Sequence, residues 1–295
     1  MTTPFDPPAP LLRSVVTAAL SEDLGVLGDI TSLACIEEGV SGEASLVARE
    51  EGVLAGSAAV TEVFRQVDAD VSVAWRRVDG EPLVAGDLIG TISGSLRSIL
   101  AGERVALNLL THCSGIASLT RRYVRAARGG SRVRDTRKTT PGLRALEKAA
   151  VRAGGGFNHR DSLSDAVLIK DNHLAGIDVR SAIERARARW PGRVVEVECD
   201  TTEQVESAMG AEPDLILLDN MTPGEVEAMV ATIAGRIPVE VSGGVDLANV
   251  AAYAAAGPDF IAVGALTHSA RALDIGLDID LAGARGARPR EQIDG

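Results

Sequence analysis

The chain has 295 residues, of which 45% are hydrophobic, 24% charged and 3% aromatic. That composition supplies enough apolar material for one large barrel or two ordinary domains, and it excludes composition-driven disorder. With a formal net charge of −11, two Trp and two Tyr, the chain lacks an aromatic platform for single-stranded nucleic acid. An acidic surface also repels nucleic acid and anionic membranes unless its cations are segregated.

The first ten residues carry four prolines and read as an irregular arm, with no basic residue before Arg13. That segment lacks the charged start of a secretory signal, no apolar run reaches the about 18 residues of a membrane helix, and the three cysteines form no C-x-x-C pair. A cytoplasmic protein with reduced thiols is the expectation. Residues 11–22 read as a helix with Leu12, Val15, Val16, Ala19 and Leu20 near one face. From 43 to 95, short β-like runs (ASLVARE, VSVAWRRV, DLIGTISG) are broken by glycines, with a helical stretch near 57–67. This texture predicts a small α+β sandwich domain over 1–110, its sheet mostly antiparallel. EPLVAGDLIGTISG has the look of a lipoyl-type hairpin but no lysine at its tip, so a structural hairpin is the better reading. A long helix over 98–128 leads onward.

From 131 the rhythm changes. SRVRDT, AVLIKD, RVVEVECD, DLILLDN, IPVEVSGG and DFIAVGAL alternate with helical segments at 142–153, 178–190, 202–210, 222–234 and 246–256. Continuous apolar strands alternating with helices predict a parallel sheet, and six units favour an incomplete parallel (β/α) barrel over 111–270. The tail, 271–295, is expected to pack back on the first domain. No G-x-G-x-x-G follows the first strand, so a dinucleotide fold lacks its fingerprint.

Each predicted strand ends in polar residues: Asp135-Thr136-Arg137-Lys138, Lys170-Asp171-Asn172-His173, Glu198 with Asp200, Asp219-Asn220, Ser242-Gly243-Gly244 and Gly264. Parallel barrels build their sites at that end. Helix capping explains single positions such as Asp200 or Asp246, but not Arg and Lys. Charge is also segregated. Residues 121–160 hold twelve Arg or Lys and two acids, net +10, while the remainder holds 18 basic and 39 acidic residues, net −21. A solvated helix face accounts for Arg121, Arg122, Arg125 and Arg128. Arg137-Lys138 and His159-Arg160 instead adjoin a strand end and a glycine run, a placement that suits a small polyanion. Ser242-Gly243-Gly244 and Gly264-Ala265-Leu266 follow the last two strands, where backbone N–H groups meet phosphates in barrels. Glu198 and Asp219 face the same rim and could stabilise a cationic transition state or hold a metal ion, or simply pair with Arg137 or Lys170. Two rivals follow from the residues: a Schiff-base aldolase with Lys170 as nucleophile, and a nucleic-acid or phosphate-binding module using the basic window.

The stretch DTRKTTPGLRALEKAAVRAGGGFNHR, followed by LIKDNH, resembles the quinolinate phosphoribosyltransferase family of type II phosphoribosyltransferases. The similarity continues in EDLGVLGDITS (22–32), ERVALNLLTHCSGIAS (103–118), VEVECD, LILLDN, VSGG and VGALTHS. The resemblance implies an N-terminal α/β sandwich and an incomplete α/β barrel. It implies transfer of the phosphoribosyl group of phosphoribosyl pyrophosphate to quinolinate with decarboxylation, using magnesium, in NAD biosynthesis. The alternative is a related transferase acting on another carboxylated base. By motif match, Thr136, Arg137, Lys138, His159, Arg160 and Lys170 line the substrate pocket. Glu198 and Asp219 hold the ribose and magnesium side, with Lys138 and Lys170 beside them in the catalytic set. Ser242, Gly243, Gly244, Gly264, Ala265 and Leu266 take the 5′-phosphate. Arg104 reaches a neighbouring subunit's site, which implies a homodimer at least. Glu196 competes with Glu198, and period-two alternation favours the residue nearer the strand's C-terminal end. His112 is expected to pack in the long helix, His173 and His268 to stand behind the substrate-binding residues, and Cys113 and Cys199 to be inert.

Overall fold

A computed structural model describes residues 4–280; the expectation for 281–295 lies outside the described residues. By packing, the described residues divide into 4–115 with 271–280, and 116–270. The division falls at Gly115, where a Cβ would come within 2.1 Å of the Arg271 carbonyl oxygen, so only glycine allows these backbones to meet.

The first unit contains α1 (Ala9–Leu24), α2 (Ile30–Cys35), β1 (Ser41–Ala48), β2 (Gly52–Val53), α3 (Ser57–Val67), β3 (Ser72–Trp75), β4 (Pro82–Leu83), β5 (Leu88–Ser95) and the part of α4 (Leu96–Ala126) up to Gly115. Its four-stranded antiparallel sheet has the order β12-β1-β5-β3, where β12 is Ile275–Asp280. Residues 275–280 therefore return to this unit as an edge strand. The amphipathic pattern explains the helices: α1 buries Leu12, Val16 and Leu20, and α3 buries Ala59, Val60, Val63 and Phe64. Asp29, inside the GDITS run, caps α2 by accepting the N–H groups of Thr31 (3.1 Å) and Ser32 (3.0 Å).

The second unit begins in α4 and continues through β6 (Arg132–Arg134), α5 (Arg144–Ala153), β7 (Val167–Ile169), a 3₁₀ turn (Asp171–Leu174), α6 (Val179–Arg189), β8 (Val195–Cys199), α7 (Thr202–Ala211), β9 (Leu215–Asp219), α8 (Pro223–Ile233), β10 (Val239–Ser242), α9 (Val250–Ala255), β11 (Phe260–Ala262) and α10 (Ala265–His268). The sheet is parallel, in the order β6-β11-β10-β9-β8-β7. The first strand lying beside the last is the connectivity of a closing barrel. Closure is partial: Phe157 adds a single parallel bridge to Arg134, and among the described residues no ladder joins it to β7. Strand β9 reads LILLD and buries its first four residues on both faces, as a helix-covered parallel strand should. Alternation then fixes which side chains enter the barrel. Leu168 and Lys170, Glu196 and Glu198, Leu217 and Asp219, and Glu240 and Ser242 are each two residues apart and share the inner face.

Candidate active site

At the C-terminal end of these strands lies a cavity of about 250 Å³ lined by Thr136, Arg137, Lys138, His159, Arg160, Leu168, Lys170, Glu198, Leu217, Asp219, Glu240, Ser242 and Ala262. A larger groove of about 490 Å³ runs beside the unpaired edge of β7, past Leu163 and Trp190. Its lining carries no carboxylate, so acids and cations oppose each other only in the smaller cavity of the two.

The cations are delivered by three segments. Arg137 and Lys138 follow β6, His159 and Arg160 follow the Phe157 bridge, and Lys170 follows β7. Arg144 on α5 fixes the first of these segments: its Nε donates to Thr139 Oγ1 (2.9 Å), and its terminal nitrogens to the carbonyls of Asp161 (3.0 Å) and Arg137 (3.4 Å). The second is clasped by a buried ion pair. Lys148 Nζ donates to Asp135 Oδ1 (2.6 Å) and to the His159 carbonyl (2.8 Å). Asp135 in turn accepts the His159 N–H (2.9 Å) and the Asn158 amide. Burial raises the Asp135 carboxyl, and Lys148 opposes that shift.

Arg137 Nε is buried without a hydrogen-bond partner among the described residues. A buried guanidinium nitrogen left open in a cavity is matched to an anion that enters it. Arg160 donates to the Ala166 carbonyl (3.0 Å), and burial, with Arg137 beside it, lowers its pKa. The direction fits two crowded cations that a bound dianion would relieve. Lys170 Nζ is held by Glu198 across β7 and β8. That contact occupies the Lys170 amine and counts against Lys170 as a Schiff-base nucleophile.

Glu196 and Glu198 separate by depth. Glu198 stands at the rim, while Glu196 is 2% exposed and meets His159 Nε2 at 3.0 Å. The His159 ring lines the cavity, but both nitrogens are engaged within the protein, because Nδ1 accepts the Arg160 backbone N–H at 2.7 Å. Carboxylate oxygens of Glu198, Asp200 and Asp219 lie within 4.8 Å of one another. An all-oxygen donor set of this kind suits magnesium. Asp200 enters the site as a carboxylate, whereas the sequence offered it as a helix cap. Thr201 fills that role, its hydroxyl accepting the Gln204 N–H at 3.3 Å.

The β10 loop is built by glycine. Gly243 has φ +88°, and a Cβ there would meet Asn220 Oδ1 at 2.3 Å. Gly264 lies against Lys138, whose Cδ would be 3.0 Å from an added Cβ. Leu266 spends its side chain in the core at 0% exposure and Ala265 opens the short α10, so these two could meet an anion only through backbone. Arg104 belongs to the first unit, exposed on α4. His173 Nδ1 accepts the Lys170 N–H (3.0 Å), and His268 meets Ser269 Oγ (2.7 Å). Arg121 is not a solvated residue as expected: its Nε donates to the Gly154 carbonyl (2.9 Å). Sequence reading passed over Arg134, Lys148 and Glu240. The signal for Glu240 was present, since it precedes Ser242 by two residues as Glu196 precedes Glu198. Lys148 carried none, being one more cation in a basic window.

A partly closed parallel barrel with clustered cations facing carboxylates at its C-terminal rim defines a barrel enzyme for a small polyanion. The chain belongs to the quinolinate phosphoribosyltransferase family: the model of the family's N-terminal domain matches residues 29–114, and that of its C-terminal domain matches 116–278. A Mycobacterium leprae protein named nicotinate-nucleotide pyrophosphorylase (carboxylating) is 45% identical over 274 residues, covering 90% of this chain and 96% of the relative. A Bacillus subtilis protein named probable nicotinate-nucleotide pyrophosphorylase (carboxylating) is 41% identical, covering 92% and 94%. Among solved structures, NadC from Streptococcus pyogenes superposes with a TM-score of 0.88 at 42% identity, covering 95% of this chain and 98% of that one.

Proposed function

We propose that this barrel mouth transfers the phosphoribosyl group of phosphoribosyl pyrophosphate to quinolinate and releases pyrophosphate and carbon dioxide, leaving nicotinate mononucleotide. Beyond family membership, the observation that carries this reading is the open, buried Arg137 Nε in a cavity it shares with Lys138, Arg160 and Lys170. Quinolinate is a dianion, and guanidinium forks bind carboxylates in pairs. Arg137 and Arg160 offset the repulsion of bringing it beside a polyphosphate.

The ring nitrogen attacks ribose C1 as the bond to pyrophosphate breaks. Glu198 and Asp219 face the positive charge that develops at C1, and the Lys170 ammonium holds Glu198 in place. Once the pyridinium has formed, its nitrogen draws in the electron pair of the C2–carboxylate bond. Carbon dioxide leaves, and C2 takes a proton from water. Magnesium, when bound, neutralises pyrophosphate charge, and Glu198, Asp219 and Asp200 are the residues fitted to hold it. Ser242, Gly243, Gly244 and Gly264 take the 5′-phosphate. Arg104 serves the site of a second copy in a homodimer, a reading supported by the exposed Leu163 (72%) and Trp190 (55%) beside the unpaired edge of β7. Three cysteines, none in a disulfide among the described residues, fit a reducing compartment such as the cytoplasm.

The test is to supply the purified protein with quinolinate, phosphoribosyl pyrophosphate and magnesium and to follow nicotinate mononucleotide by mass spectrometry. Absence of that product, or its formation from nicotinate as readily as from quinolinate, would refute the assignment.

A further inference from the structure

Beneath the rim lies a second polar layer to which the chemistry above gives no task. Glu196 on β8 and Glu240 on β10 point inward one step below Glu198 and Ser242, at 2% and 0% exposure. His159 Nε2 lies 3.0 Å from Glu196 Oε2 and 3.5 Å from Glu240 Oε1. Arg134 on β6 donates to Glu240 Oε2, and its guanidinium sits 4.3 Å from the centre of the Phe260 ring. The second oxygens, Glu196 Oε1 and Glu240 Oε1, are buried with no hydrogen-bond partner among the described residues.

Two buried acids therefore share one permanent cation, and each keeps an unsatisfied acceptor. Burying such atoms is costly. Oxygens of the two acids lie within 4.8 Å of each other, and a proton on one acid removes one of the two charges and turns an orphaned acceptor into a donor. His159 does not provide it: Nδ1 accepts the Arg160 N–H, so the ring turns only Nε2 toward the acids, and that nitrogen is engaged with Glu196. A divalent ion fits poorly, because Arg134 already holds Glu240 and the cations of the rim stand above.

We propose that Glu240 is a positioning residue that works in its protonated form, seating His159 together with Glu196 and keeping a second negative charge out of the pocket floor beneath a dianionic substrate. This rests on the quinolinate reading above. Burial, with the Glu196 carboxylate beside it, pushes the Glu240 carboxyl up to about 7. The groups facing it are Arg134 from β6, Glu196 from β8 and His159 from the bridge segment. The flanking strands β9 and β11 offer Leu217 and Ala262, and the layer above holds Arg137, Lys138, Arg160, Lys170, Glu198 and Asp219. A dianion favours the neutral acid, so binding near neutrality draws in a proton. Affinity is full below the pKa of Glu240 and falls as pH rises through it, by at most about tenfold per pH unit.

The test compares quinolinate KM and kcat across the neutral to alkaline range for wild type, Glu240→Gln and Glu240→Ala. Gln imitates the protonated acid. The expected result is a wild-type KM that rises about tenfold between about pH 7 and 8.5 while kcat changes little, a Glu240→Gln KM that stays flat, and a Glu240→Ala KM raised at every pH. Parallel profiles for wild type and Glu240→Gln overturn the proposal, as does a Glu240→Gln KM as poor as that of Glu240→Ala. Should the variants not fold, calorimetry of quinolinate binding to wild type in two buffers of different ionisation enthalpy decides. Uptake of about half a proton near pH 7 supports the protonated acid, and no uptake overturns it. Wild type that forms no nicotinate mononucleotide at any pH refutes the assigned reaction itself, whereas normal turnover with a pH-independent KM refutes only the proton.

Discussion

Glu196 and Glu198 leave the same face of β8 two residues apart, yet they meet opposite kinds of partner: Glu196 faces the ring of His159, and Glu198 the ammonium of Lys170. Depth along the barrel makes the difference. Only the upper of the two can see a charge that develops at the rim. Glu198→Gln is therefore expected to lower kcat by roughly a hundredfold with a change in quinolinate KM under about threefold. Steady-state kinetics checks this, and a loss confined to KM would move Glu198 from transition-state stabilisation to ground-state binding.

The pair Lys148–Asp135 is nearly sealed from water, with side-chain exposures of 3% and 0%. Lys148→Met leaves a carboxylate buried without its cation, a change that costs about 3–5 kcal/mol. Urea unfolding should register that loss. The double variant Asp135→Asn/Lys148→Met should recover more than half of it, because no uncompensated charge remains.

At Gly243, both the left-handed φ of +88° and the 2.3 Å approach to Asn220 Oδ1 exclude a side chain. Gly243→Ala should raise the KM for phosphoribosyl pyrophosphate by about tenfold or more, with quinolinate KM much less affected. Equal shifts in both KM values would remove this loop from the phosphate subsite.

An Arg104→Ala chain and a Lys170→Ala chain should each be inactive alone. If Arg104 serves the partner's site, mixing them under conditions of subunit exchange should restore about a quarter of the sites, since statistical pairing makes half the molecules mixed and each of these carries one intact site. No recovery, with exchange verified by mass spectrometry, would return Arg104 to its own subunit.

Thiol chemistry gives a pH-dependent check on burial. Burial, with Asp200 and Glu198 nearby, pushes the Cys199 thiol up to about 12, and Cys113 is 1% exposed. A raised thiol pKa keeps the group protonated and inert below that value, so at about pH 8 only exposed Cys35 should react quickly with a disulfide reagent. All three should react in urea. Rapid loss of Cys199 in the native protein would contradict its seat inside β8.

Much of this architecture can be read in the chain because its determinants are local. Runs such as LILLD and VEVEC declare buried parallel strands, and polar residues at their ends declare the rim, since alternation and strand polarity suffice to say which side chains face inward and at which end. Spacing could also place Glu240 on the inner face, but not say what it meets there. That Arg134 and Glu196 converge on it from β6 and β8, that Lys148 pairs with buried Asp135, and that His159 spends both nitrogens on the protein are outcomes of tertiary packing. These contacts join residues up to 106 positions apart. Their charge states depend on burial and on the nearest ion, which the order of residues does not carry.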